Sequence, residues 1–241
     1  MGTALITGAA SLMGEGIAKA LADRGWDLAL TDIDTDGAQA VAATLPGNVR
    51  AQVAEMDVTD LTQVRQVVAD TAAQMGSIDA LVNCAGGLRG LGIERKPLAE
   101  IPPDDWHKII NTNLKGVLNV VHSVLPVMQD QGAGTIVSIA ASRGLRGGLG
   151  ASHYSAAKAG IILFTQTMVL ECGEYGVRIN TIAPGNADAR WKTEEHGGSA
   201  APLGRSTSEK DVGAAVAWLV SDDASHVTEA CIDVSGGTTL H

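Results

Sequence analysis

Tyr154 and Lys158 stand four residues apart in the stretch His153-Tyr154-Ser155-Ala156-Ala157-Lys158. The run from Ile161 to Leu170 that follows is apolar and free of proline, so the spacing is that of one helical face. Phenol and ammonium then rise from the helix about 6 Å apart at their bases. A free phenol titrates near ~10, too high for proton exchange at neutral pH. A cation at ~4 Å in a medium of effective dielectric ~20 is worth about 4 kcal/mol, enough to bring that pKa down by up to ~3. The pair is expected to carry general acid and base chemistry, with Lys158 lowering the pKa of Tyr154.

The N-terminus offers a second feature, a place for a dinucleotide. Residues 3 to 7 are a short apolar β-like run, followed by Gly8-Ala9-Ala10-Ser11-Leu12-Met13-Gly14-Glu15-Gly16 and then a segment of helical spacing from Ile17 to Ala22. A second strand over 27 to 31 ends at Asp32, which closes a βαβ unit within about 30 residues. A glycine turn of this kind sets backbone N–H groups and a helix N-terminus against a pyrophosphate. The Asp32 carboxylate can accept hydrogen bonds from both hydroxyls of a ribose and would repel a 2′-phosphate, so NAD is favoured over NADP. Glu15 adds a second negative charge after the turn, and reads equally well as a first-turn acid stabilising the helix dipole.

The remaining chain keeps alternating. Strands are expected over Val49–Met56, Ala80–Val82, Thr135–Ala140, Val177–Ile182 and Cys231–Val234, and helices over Leu61–Met75 and 104 to 129. Strands separated by helices mean an α/β fold, a Rossmann-type doubly wound parallel sheet in a single domain over residues 1–241. The chain has 241 residues, 45% of them apolar and 18% charged, with no apolar run long enough to cross a membrane and no charged segment leading into its apolar start. A cytoplasmic protein is expected. Cys84, Cys172 and Cys231 are widely spaced and read as buried thiols in a reducing compartment, and no residue set suggests a metal. A net charge of −10 argues against a nucleic acid partner.

With these residues assembled, the sequence resembles the classical short-chain dehydrogenase/reductase family over essentially its full length. The resemblance rests on Thr7-Gly8 with Gly14, Asp57-Val58, Asn83-Cys84-Ala85-Gly86, Asn113 in Asn-Leu-Lys-Gly, Tyr154 with Lys158, Pro184-Gly185, and a C-terminal pattern from Pro202-Leu203-Gly204-Arg205 to Gly236-Gly237. It implies cofactor contacts from Gly8, Ser11, Leu12, Met13, Gly14, Asp32, Ile33, Asp57, Val58, Asn83, Ala85, Gly86, Tyr154, Lys158, Pro184, Gly185 and Ala187. It also implies that Tyr154 exchanges a proton with the substrate oxygen while a hydride moves between substrate carbon and nicotinamide. Lys158 would lower the tyrosine pKa and hold the nicotinamide ribose, Asn113 would anchor a relay water, and a serine would bond the substrate oxygen.

Three positions depart from the family pattern. Leu12 falls where the middle turn glycine stands, and a side chain there dislikes positive φ. Ala141 falls on the serine thirteen residues before the tyrosine, which leaves Ser142 as the candidate. On a continuing strand Ser142 would point away, whereas an irregular strand end could present it. Ala189 replaces the threonine after Pro-Gly.

Around the expected substrate site the loops carry Arg143, Arg146, His153, Arg190 and Lys192, in a chain with 17 basic against 27 acidic residues. A cationic rim favours a small polar or anionic hydroxylated substrate such as a sugar, sugar acid or hydroxy acid. The substrate loop is expected around residues 186–202. The alternatives are a 3-oxoacyl-thioester reductase using NADPH and a non-catalytic NAD-binding protein. The helix after Tyr154 is apolar on nearly every face, which predicts a subunit interface and, with the family's habit, a homotetramer.

Overall fold

The computed structural model describes residues 2–185 and 201–239. Seven strands form one parallel sheet: β1 (Thr3–Thr7), β2 (Asp27–Asp32), β3 (Ala51–Glu55), β4 (Ala80–Asn83), β5 (Gly134–Ile139), β6 (Val177–Pro184) and β7 (Cys231–Val234). Their spatial order is β3-β2-β1-β4-β5-β6-β7, so the winding reverses between β1 and β4. That reversal opens a crevice at the carboxyl ends of the two strands, the position at which doubly wound sheets bind ligands. The central strands β1 and β4 are buried at every residue, as a sheet covered on both faces demands.

One face is covered by α1 (Leu12–Ala22), α2 (Thr35–Ala42) and α8 (Glu209–Leu219), the other by α3 (Leu61–Met75), α5 (Gly116–Gln131) and α7 (Ser152–Cys172). The first apolar layer packs Ile17, Leu21, Val212 and Val216 on Ile6 and Leu30; the second packs Val68, Val124 and Ile161 on Leu5 and Leu81. Helices α1 and α8 cross at glycines, since a Cβ on Gly213 would lie 2.5 Å from the Gly16 carbonyl oxygen. Two short helical elements, α4 (Pro103–Ile110) and α6 (Ser142–Arg146), sit at the carboxyl end of the sheet.

The single helix expected over 104–129 is broken. Between α4 and α5 the chain makes a π turn over Asn111–Lys115, in which the Gly116 N–H donates to the Asn111 carbonyl. Single π turns occur mostly at functional sites, because a helix ladder that changes step re-aims a side chain. The side chain re-aimed here is Asn113, which is fully buried. The strand expected over Val49–Met56 is shorter, at Ala51–Glu55, as suits a partly exposed edge strand. Of the three thiols only Cys172 is fully buried; Cys84 and Cys231 are partly exposed. Among the described residues no helix is long and apolar enough to cross a membrane.

Candidate active site

At the crevice, β1 delivers Thr7 and Gly8. The Thr7 hydroxyl accepts hydrogen bonds from the N–H groups of Cys84 and Ala85, both at 3.1 Å, which ties the end of β1 to the loop after β4. Gly8 has φ +70°, and a Cβ on it would lie 2.7 Å from the Cα of Ala85. Gly14, in the first turn of α1, leaves no room either: a Cβ there would collide with the Gly8 carbonyl oxygen. Ser11 caps α1, its hydroxyl accepting from the Gly14 N–H at 3.0 Å and donating to the Gly8 carbonyl at 2.7 Å.

Leu12 does not strain this turn. It is the first residue of α1, with the left-handed conformation left to Gly8, and its side chain is 56% exposed at the rim. Glu15 is paired with Lys19 at 2.6 Å along α1, so its charge is balanced locally. Asp32 ends β2 with its carboxylate fixed by the N–H groups of Ala10 (2.9 Å) and Asp34 (3.0 Å). Ile33 lies exposed beside it. Asp57 accepts from the Thr59 N–H and hydroxyl, and Val58 fills the space beside Gly116, placing both at the carboxyl end of β3.

Asn83 ends β4 and donates to the Ser138 hydroxyl at 3.1 Å, while its carbonyl oxygen is buried without a partner. The next turn brings three predicted residues together. Gly86 has φ +137°, and a Cβ on it would meet Asn113 Oδ1 at 2.5 Å and Lys158 Nζ at 3.6 Å. Asn113 holds the turn from below, accepting from the Gly87 N–H at 2.7 Å and donating to the carbonyls of Gly87 and Ile109. Its side chain is thereby committed to the protein. Through that amide Asn113 positions the turn at Gly87.

Lys158 is 4% exposed and donates to the Ile139 carbonyl at 2.8 Å, with its ammonium 5.7 Å from the centre of the Tyr154 ring. Burial pushes its pKa down to about 8. The expected lowering of the phenol by Lys158 is not what the structure holds: burial pushes Tyr154 up to about 12, opposed by the charges of Arg143 and Arg95. The lysine spends its charge on a backbone carbonyl, and desolvation outweighs the distant cations.

β5 stops at Ile139, so strict alternation does not reach position 142. Ala141 is extended (φ −166°, ψ 154°) and Ser142 opens α6, buried in the layer that packs on α7 at Gly144 and Lys158. Among the described residues the hydroxyls of Ser142 and Tyr154 share no hydrogen bond. Arg143 is partly buried and Arg146 exposed. His153 is buried with both ring nitrogens unpartnered, and burial lowers its pKa against the pull of Asp105 on α4, so it belongs to the packing of α7 on α4 rather than to a cationic rim. Pro184 ends β6, and the Gly185 N–H donates to the Val234 carbonyl at 3.0 Å. Ala187, Ala189, Arg190, Lys192 and most of the expected substrate loop lie outside the described residues. Motif reading passed over the bracing role of Thr7, Ser138 and the Ile139 carbonyl, and Arg95, which no motif marks.

A Gly-lined turn at a helix N-terminus, an acid at the tip of β2, and a buried lysine with two ammonium hydrogens to spare fit a nicotinamide dinucleotide lying across the crevice. The chain belongs to the short-chain dehydrogenase/reductase family. Residues 8–239 match the family described as enoyl-(acyl carrier protein) reductase. The 3-oxoacyl-(acyl-carrier-protein) reductase FabG of Thermotoga maritima is 35% identical, covering 98% of this chain and 97% of its own. Levodione reductase of Leifsonia aquatica is 34% identical over 97% of this chain and 92% of its own. Among solved structures, NAD+-bound xylitol dehydrogenase superposes with a TM-score of 0.90 at 27% identity, covering 98% of both chains. The protein is therefore a short-chain oxidoreductase, which removes the non-catalytic alternative.

Proposed function

We propose that the protein uses NAD to interconvert a secondary alcohol and a ketone on a small polar or anionic hydroxylated substrate. The observation that carries this reading is Asp32, whose carboxylate is pinned by two backbone N–H groups with no basic residue between positions 32 and 37. A 2′-phosphate would meet an uncompensated negative charge there. The bound dinucleotide supplies the hydride acceptor or donor. In reduction, Tyr154 would donate its phenolic proton to the oxygen as the carbonyl carbon receives hydride; in oxidation it would accept the hydroxyl proton as its own proton leaves to solvent. Lys158 sits below the phenol and has hydrogen bonds left for a ribose. Ser142 is the candidate donor to the substrate oxygen, and Asn113 holds the Gly86–Gly87 floor on which the nicotinamide would rest.

Fluorescence titration of the purified protein with NADH and NADPH tests this. NADH is expected to bind at least about tenfold more tightly, and Asp32→Ser to bring the two together. Tighter NADPH binding would favour the 3-oxoacyl-thioester reductase reading, which the FabG relatives support. Against that reading, α7 carries no Lys or Arg between Ala159 and Glu174 to meet an acidic carrier protein. The exposed apolar residues of α7 support a homotetramer, and the three free thiols a reducing, cytoplasmic setting.

A further inference from the structure

Gly144 lies in the middle of α6, and its backbone is not left-handed. Helix propensity alone would favour alanine there. What excludes a side chain is the approach of α7. A Cβ on Gly144 would lie 2.8 Å from the Lys158 carbonyl carbon, 2.9 Å from the Ala159 nitrogen and 3.0 Å from the Lys158 carbonyl oxygen. These are backbone atoms inside a helix, so they cannot turn aside as the tip of a side chain would. The same stretch of chain holds Lys158 at its other end, where the ammonium donates to the Ile139 carbonyl at 2.8 Å. That stretch is itself anchored: the Ala140 N–H donates to the Ile182 carbonyl on β6 at 2.7 Å, and the Gly144 N–H to the Ala141 carbonyl at 2.8 Å. The segment 139–144 therefore meets Lys158 at both its backbone and its ammonium, and the buried Ser142 is carried between the two contacts.

We propose that Gly144 is a positioning residue of the reaction. By admitting α6 to the backbone of Lys158, it sets the separation of Ser142 on α6 from Tyr154 and Lys158 on α7, and it keeps the ammonium within reach of the Ile139 carbonyl. The proposal rests on the reading of Tyr154 and Lys158 as the reacting pair. With a methyl group at position 144 the two helices must part by roughly 0.6 Å or more, which brings 2.8 Å to an ordinary contact of about 3.4 Å. That movement lengthens the ammonium bond, admits water to Lys158 and carries Ser142 away from the pair. Misplacement of reacting groups on this scale costs about 10²-fold in rate.

The test compares Gly144→Ala with Gly147→Ala. Gly147 caps α6 at φ +74° with nothing within 4 Å of a Cβ, so alanine there strains the same loop without pressing on α7. Turnover is followed over a panel of hydroxy acids and sugar acids with saturating NAD+, and cofactor affinity by NADH fluorescence. Lys158 is followed by the pH titration of its 13Cε resonance, assigned by its absence in Lys158→Met. Gly144→Ala should lower kcat about 100-fold while KM and NADH affinity change by less than about fivefold. Its Lys158 should titrate about one pH unit above the wild-type value, because water reaches the ammonium. Gly147→Ala should keep kcat within about threefold and leave the resonance in place. Equal losses in the two variants, or a resonance unmoved by Gly144→Ala, would overturn the proposal and leave Gly144 as packing alone. If no member of the panel is turned over, the resonance decides. Amide exchange covers a variant that does not fold: a helix as short as α6 is unstable alone, so the wild-type Gly144 and Gly147 amides should exchange about 100-fold more slowly than in a free peptide. Free exchange there would also overturn the seat on α7. A moved resonance, with turnover unchanged in Tyr154→Phe, would uphold the seat and refute the reading of the reacting pair.

Discussion

Tyr154 and Lys158 occupy the same helical face, as their spacing requires, yet each is pushed away from its charged form. The phenol, raised to about 12, is a proton donor at neutral pH. Its contribution to stability is complete below the unfolded value near ~10 and is lost as pH rises through about 12. The ultraviolet difference between wild type and Tyr154→Phe should therefore show no phenolate from Tyr154 below about pH 10.5, and a signal near pH 8 would contradict the burial argument. Lys158 has the opposite sign. Its pKa falls from 10.5 to about 8, so the unfolded chain binds more protons between those values and stability rises with pH across that window. At pH 7 the buried charge costs up to roughly 3 kcal/mol even with its bond to the Ile139 carbonyl. Lys158→Met is expected to raise the melting temperature at pH 7 while reducing turnover by about 10²-fold or more, and to lose its stability advantage as pH approaches 10.5. The residues themselves were legible from type and spacing. The direction of their shifts was not, because desolvation depends on which segments close over them, and those are set by tertiary packing.

The elements were legible wherever local pattern and burial agree. β1, β4 and α3 fall within a residue of expectation because each is bounded by a turn residue: Gly8 after β1, Cys84-Ala85-Gly86 after β4, and Asp60 and Gly76 at the ends of α3. Helices α2 and α8 escaped notice although each carries a start signal, Asp34 capping the one and the Ser208–Asp211 capping box opening the other. The π turn escaped for a deeper reason: nothing in Asn111-Thr112-Asn113-Leu114-Lys115 disfavours a plain helix, and the step is imposed by docking against Gly86 and α7. The joint between β1 and β4 gives the clearest test at this scale. One hydroxyl, that of Thr7, receives two backbone N–H groups at the winding reversal. Thr7→Val keeps the shape and removes the acceptor, leaving two partly buried donors unpaired at about 1–3 kcal/mol each. Urea unfolding should show a loss of about 2–4 kcal/mol with an unchanged slope, accompanied by weaker NADH binding because Ala85 no longer backs Gly8. An unchanged midpoint would mean that water replaces the hydroxyl and that the joint is not a structural hinge of the cofactor site.

At the scale of the whole molecule, α7 serves two surfaces at once. Its inner stripe of Ala157, Lys158, Ile161, Thr165 and Met168 is buried against the sheet, and Tyr154 and Lys158 are fixed by that contact. Its outer face presents Leu163 at 65% and Leu170 at 86% exposure, seven residues apart and hence two turns along one line, while α5 on the same side of the sheet exposes Leu118. Exposed leucines in register on the helix that carries Tyr154 and Lys158 are the surface on which the proposed tetramer would be built, and covering each is worth about 1.5–3 kcal/mol. A twofold interface uses the same patch twice, so one substitution appears in it twice. Leu163→Glu with Leu170→Glu would place four carboxylates in one contact, far more than a leucine face can compensate. Both positions point to solvent in the single chain, so far-ultraviolet circular dichroism should remain that of the wild type. Sedimentation velocity at micromolar concentration is expected to show a tetramer for the wild type and dimers or monomers for the double variant. A wild type that sediments as a monomer would remove the interface altogether. A double variant that stays tetrameric would move it to another face, such as that of α8, where Trp218 is exposed. Turnover adds a further discrimination. If the α7 contact also stiffens the helix beneath Tyr154, the dissociated variant loses kcat while its NADH affinity, set at β1, α1 and β2, is retained.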